Sequence, residues 1–151
     1  MSIKEQKRGS QSKEKCFQSE GELLWTSILA AFSGFSEPGE SEEIQTKEYR
    51  ASEVTVYKAF EKLSKEYPDR FPGLYFSDLG GVPHSKDLED NLSNLGAFGM
   101  LEHDYRHCEV SPESSKAIRD VLKEEYGEAN LKSFISIAKR FRELVKGFEE
   151  A

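Results

Sequence analysis

The sequence predicts a mainly α fold with a small β-hairpin, an α+β domain, and three observations carry that prediction. Apolar residues recur at intervals of three and four along much of the chain, as in helices that bury one face. Ser, Gly and Pro fall where those runs begin and end. Residues 100–110 differ: two short runs flank a polar four-residue segment, the pattern of two strands joined by a turn.

A chain of 151 residues is the size of one domain and can bury one continuous core. With 36% hydrophobic and 32% charged residues, part of it should lie outside that core. Residues 1–20 are the first such part: Lys4, Lys7, Arg8, Lys13 and Lys15 alternate with Glu5, Glu14 and Glu20, and Phe17 and Ile3 are isolated, so a flexible arm is expected before a single domain at 21–151.

Within that domain, 22–35 carries Leu23, Leu24, Trp25, Ile28, Leu29, Ala30, Ala31 and Phe32, apolar nearly all round, and reads as a buried helix stopped by Gly34 and Pro38. Residues 36–48 hold Glu37, Glu40, Glu42, Glu43 and Glu48 and read as an acidic surface loop. A second helix starts at the cap Ser52, sets Val56, Phe60, Leu63 and Tyr67 on one face, and stops at Pro68.

The run 71–76 reads as a turn and a short extended piece, and Gly80-Gly81-Val82-Pro83 as a break. A third helix begins near Ser85, with Asp87 and Glu89 in its first turn, buries Leu88, Leu92 and Leu95, and ends at Gly96 and Gly99. After the hairpin, Ser111 as cap and Pro112 at the first helical position open a fourth helix, with Ala117, Ile118, Val121 and Leu122 on one side as far as Gly127. A long amphipathic helix with Leu131, Phe134, Ile135, Ala138, Phe141, Leu144, Val145 and Phe148 closes the chain, making 112–149 a helical extension.

Helix, extended segment, helix and hairpin, over residues 52–111, is the element order of winged helix-turn-helix domains, in which the helix before the hairpin is the reader. The expected architecture is a winged-helix-like core with additional N- and C-terminal helices. The stretch Pro83-His84-Ser85-Lys86-Asp87-Leu88-Glu89, followed by Leu92, Leu95, Gly99 and Met100-Leu101, resembles the Gly-Pro-aromatic-Ser, Leu, Leu, Gly pattern of Panacea-type antitoxins and related phage-associated proteins. The likeness spans about 40 residues, with His84 standing at the aromatic position. Antitoxin function is what it implies.

Charge then separates the function classes. The net charge of −7 repels phosphate at long range. The third helix sets the one lysine Lys86 against Asp87, Glu89 and Asp90, a net of −2 where DNA phosphates would lie. The presumed wing has Arg106 as its fixed positive charge, beside His103 and His107. The leading expectation is therefore a non-enzymatic protein, antitoxin-like or adaptor-like, that meets a protein partner through Asp87, Glu89, Asp90, Tyr105 and Arg106. The alternative is a dimeric DNA-binding transcriptional regulator using Lys86, Asn91, Asn94, Arg106, Lys139 and Arg140, with the basic arm on phosphates. The three Phe residues of the last helix suit core packing, and also a homodimer or partner interface.

An enzyme is the third class, because active sites can assemble from scattered residues. No motif here asks for one. His103, His107 and Cys108 are metal-capable, but neighbours on a strand face opposite ways, so neither metal nor cofactor is expected. Gly80-Gly81 lacks the spaced glycines and Lys-Ser/Thr of a P-loop. Cys16 and Cys108 make no disulfide framework, and Cys108 reads as a structural thiol. With no apolar run near the ~18 residues of a membrane span and no apolar segment behind the basic N-terminus, a cytoplasmic protein without membrane contact is expected.

Overall fold

The computed structural model describes residues 17–37, 49–103 and 107–150. The expected arm as far as residue 16, most of the acidic loop and the wing tip at 104–106 lie outside those residues. The described chain runs α1 (Glu20–Phe32), β1 (Tyr49–Ser52), α2 (Glu53–Glu66), β2 (Ser77–Leu79), β3 (Val82–His84), α3 (Lys86–Ala97), β4 (Glu102–His103), β5 (His107–Val110) and α4 (Pro112–Glu150). It is mainly helical with small antiparallel sheets, an α+β fold.

Capping explains where the helices start. The hydroxyls of Ser19, Ser52 and Ser85 accept hydrogen bonds from the amides of Glu22, Thr55 and Leu88, supplying partners that the first helical turn lacks. α1 starts two residues before the expected 22 and stops at Phe32, where the Ser33 hydroxyl donates to the Ala30 carbonyl at 2.6 Å and Gly34 takes φ +73°. Phe17, within the segment expected as an arm, stacks on Tyr126, ring centroids 4.9 Å apart and planes 20° apart.

The core forms where α1 and α2 meet α4. Phe32, Phe60 and Phe141, one from each helix, form an aromatic triangle with centroid separations of 4.9–5.8 Å. Phe134 and Phe141 are fully buried and Phe148 packs against the same core. Of the two uses expected for these Phe residues, core packing is the one seen within the chain.

α4 is two helical runs joined at Gly127, whose φ of 68° and ψ of −172° interrupt the helix. The interruption falls where the sequence places a helix stop.

Two sheet elements depart from the expected single hairpin. β1, not anticipated, pairs antiparallel with β5 (Tyr49↔Val110 to Ser52↔His107), and β4 pairs with the other side of β5, giving the order β1-β5-β4. β2 and β3 form a second hairpin, where a mere break was expected. Gly80 and Gly81, at φ +63° and +87°, are its two-residue turn, and the Gly81 amide donates to Asp78 Oδ1 at 2.8 Å. Among the described residues, no helix is long and apolar enough to cross a membrane.

Candidate functional site

The third helix supplies the candidate surface. Leu88, Leu92 and Leu95 anchor one side of α3 in the core, at 0–1% exposure. This fixes the opposite side outward, where Asp87, Asp90, Ser93 and Asn94 are exposed and Glu89 and Asn91 are half-buried.

The charges on that side are mostly arranged among themselves. Lys86 Nζ donates to Asp90 Oδ1 at 2.9 Å and lies 3.7 Å from Glu89 Oε1. The hydrogen bond it donates to Asp90, more than any other cause, raises the Lys86 ammonium above its ordinary value. Glu89 Oε2 is also 3.6 Å from His84 Nε2. The one cation of the helix is thus neutralised locally, and the surface that remains is acidic. Asn91, expected as a base reader in the alternative, gives its side-chain amide to the Asp87 carbonyl at 2.8 Å.

Behind α3, the His84 ring stacks on Tyr57 with centroids 5.6 Å apart and planes 14° apart. An imidazole thus takes a place where a flat aromatic ring fits. Burial first, and then the nearby carboxylates of Glu53 and Glu89, push the Tyr57 hydroxyl well above its ordinary range.

The other candidates for nucleic-acid contact lie on α4 and are bound within the chain. Lys139 Nζ is 3.4 Å from Glu37 Oε2, and Arg140 binds Glu66 and Glu143 at 2.8–3.3 Å. They are not joined with Lys86, Asn91 and Asn94 into one basic face. Asn94 stays exposed on α3, its carbonyl accepting from the Phe98 amide at 3.0 Å. Tyr105 and Arg106 fall outside the described residues. His107 and Cys108 sit in the central strand, His107 half-buried and Cys108 fully buried, on alternate faces.

The sequence reading missed an aromatic pair at the end of α3. Phe98 is 69% exposed, and its ring makes an edge contact with the half-buried Trp25 at 6.1 Å. Alongside it, Gly99, Met100, Leu101, Glu102 and Glu109 help line a shallow hollow that reaches Ser114 on α4. Phe98 lies between Gly96 and Gly99, so the glycines drew attention to the helix end and away from the ring. The signal available was a large aromatic at a position that the Leu88, Leu92, Leu95 stripe leaves outside the core.

No protein-family model, curated protein or solved structure matches the chain. The surface is therefore read from its own chemistry. Its carboxylates accept hydrogen bonds and attract cations, and the exposed Phe98 beside the half-buried Trp25 offers apolar area and a π-face. Among the described residues, no three His, Cys, Asp or Glu side chains converge as a metal-binding group.

Proposed function

We propose that this chain works by protein recognition, as a winged-helix-like module whose α3 face meets a partner without chemistry of its own. The observation that carries the proposal is the pairing of Lys86 with Asp90 and Glu89, which leaves the reading helix acidic at the surface. Phosphate would be repelled there, whereas a cationic protein surface would be attracted, with Phe98 and Trp25 supplying apolar contact.

Two further features support the winged-helix part. The sheet order β1-β5-β4 places the hairpin after α2 and α3, with β1 leading directly into α2. The likeness to Panacea-type antitoxins takes in the same helix and supports an antitoxin-like or adaptor-like role.

The test is a pull-down with the tagged chain from its native lysate, with and without nuclease, beside the double variant Asp87→Lys/Asp90→Lys. Both positions are exposed, so the variant should melt within a degree or two of the parent. A protein retained despite nuclease and lost in the variant supports the proposal. Capture unaffected by the reversal, or retention of nucleic acid, overturns it, and the latter outcome favours the dimeric DNA-binding regulator.

A further inference from the structure

A second hollow, of about 350 Å³, carries the opposite sign. It lies between the end of α2 and the second run of α4, lined by Tyr67, Arg70, Lys132, Ser133, Ser136 and Ile137. The chain holds 28 carboxylates against 21 lysines and arginines, yet none of the lining residues is acidic.

Lys86, Lys116, Lys139 and Arg140 are each bound to a carboxylate. Arg70 instead donates from Nη2 to Ser133 Oγ at 2.8 Å, and its guanidinium lies 5.8 Å from the Phe17 ring centroid. Neither Arg70 nor Lys132 has an ion pair among the described residues. Glu66, at the end of α2, is occupied by Arg140.

A guanidinium oriented by a hydroxyl and a ring, with donors to spare, is prepared for an anion from outside the chain. Lys132 adds a second charge, and the hydroxyls of Ser133 and Ser136 add further donors along one helix face. Ala129, in the first turn after the Gly127 interruption, also borders the hollow, so the positive end of this helical run contributes the same sign. The half-buried Tyr67 ring and the Ile137 side chain give the remaining wall an apolar character.

The geometry points to a binding site for a phosphomonoester carried on a flat apolar body, the phosphate on Arg70, Lys132 and the serine hydroxyls and the body against the half-buried Tyr67 ring. Several donors lining one hollow suit the three oxygens of a phosphoryl group. The size of the hollow is that of a small-molecule site. This site is separate from the α3 surface and does not depend on the reading of that surface.

Calorimetric titration of the full chain with phenyl phosphate, inorganic phosphate and phenol tests it. Phenyl phosphate should bind saturably and more tightly than either fragment. Lys132→Ala, at an exposed position that folding does not need, and Arg70→Gln should each weaken it tenfold or more, while Lys146→Ala on the same helix should change it less than twofold. Absence of saturable binding by phenyl phosphate overturns the site, as does equal affinity in the parent, Lys132→Ala and Arg70→Gln. Inorganic phosphate binding as tightly as phenyl phosphate overturns the assignment of the apolar body.

Discussion

Arg140 holds Glu66 with two parallel hydrogen bonds, Nε to Oε1 at 2.8 Å and Nη2 to Oε2 at 2.9 Å, and so ties α4 to the last turn of α2. The hydrogen bond from Arg140, first among the causes, lowers the Glu66 carboxyl below its ordinary value of 4.5. A carboxylate depressed in the folded state stabilises the fold above its unfolded value, and the contribution disappears as pH falls through the lower folded value. Glu66→Gln should therefore cost up to about 1 kcal/mol near neutrality, the scale of a surface pair. Urea midpoints of parent and variant should differ at pH 7 and converge as the pH is lowered below 4.5.

Gly127 occupies φ 68° and ψ −172°, a region that essentially only glycine enters. Gly127→Ala should lower stability by about 1–3 kcal/mol, the cost of holding a Cβ-bearing residue in so sparsely populated a conformation. Chemical denaturation measures it, and a variant as stable as the parent would show that the two helical runs do not need this break.

Phe141 joins the aromatic triangle at 0% exposure, so Phe141→Ala leaves a cavity between three helices. The expected loss is about 3–5 kcal/mol. Val121→Ala, at a position 43% exposed on the same helix, should lose less than about 1 kcal/mol and serves as the comparison.

Tyr57 and Tyr126 should make the fold sensitive to alkali. Burial raises both hydroxyls above their ordinary value of 10.0, helped at Tyr126 by the 2.6 Å hydrogen bond to Glu22. Because the folded state keeps these protons longer, stability is level below the unfolded value and falls as pH rises through it. Thermal scans should show melting temperature dropping above pH 10, and less steeply in Tyr126→Phe.

The Tyr57 hydroxyl is buried without a hydrogen-bond partner among the described residues. Tyr57→Phe should consequently leave stability unchanged or raise it, since it removes an uncompensated polar group and keeps the ring that stacks on His84. A loss above about 1 kcal/mol would mean that the hydroxyl has a role in the fold after all.

What was legible in the sequence follows the range of the interactions involved. Ser52, Ser85 and Pro112 act within three or four residues of themselves, and the helix starts they predict are those observed. β1 depends on β5, which pairs Tyr49 with Val110, and nothing within 49–52 alone announces a strand. The β2–β3 hairpin was hidden because its strands are three residues long, too short for alternation to show, and because Pro83 reads as a breaker.

At the candidate surface, the leucine stripe implies a polar face of Glu89, Asp90 and Ser93, of which Asp90 and Ser93 are exposed and Glu89 is half-buried. Side-chain pairing across elements does not follow from such a stripe. Arg140 with Glu66 and Lys139 with Glu37 join residues 74 and 102 apart, so helical spacing alone does not show that these two cations are paired. Arg70 and Ser133, 63 apart, escaped notice for the same reason.

The sheet order gives the Cys108 thiol a use of its own. It sits in the central strand at 0% exposure, opposite Ala51 on one side and His103 on the other. A thiol reagent can reach it only when a neighbouring strand detaches or the domain opens, so in a chain carrying Cys16→Ser its labelling rate is a clock for that opening. The strand at the middle of the sheet thus reports how often the fold breathes, with no cysteine introduced.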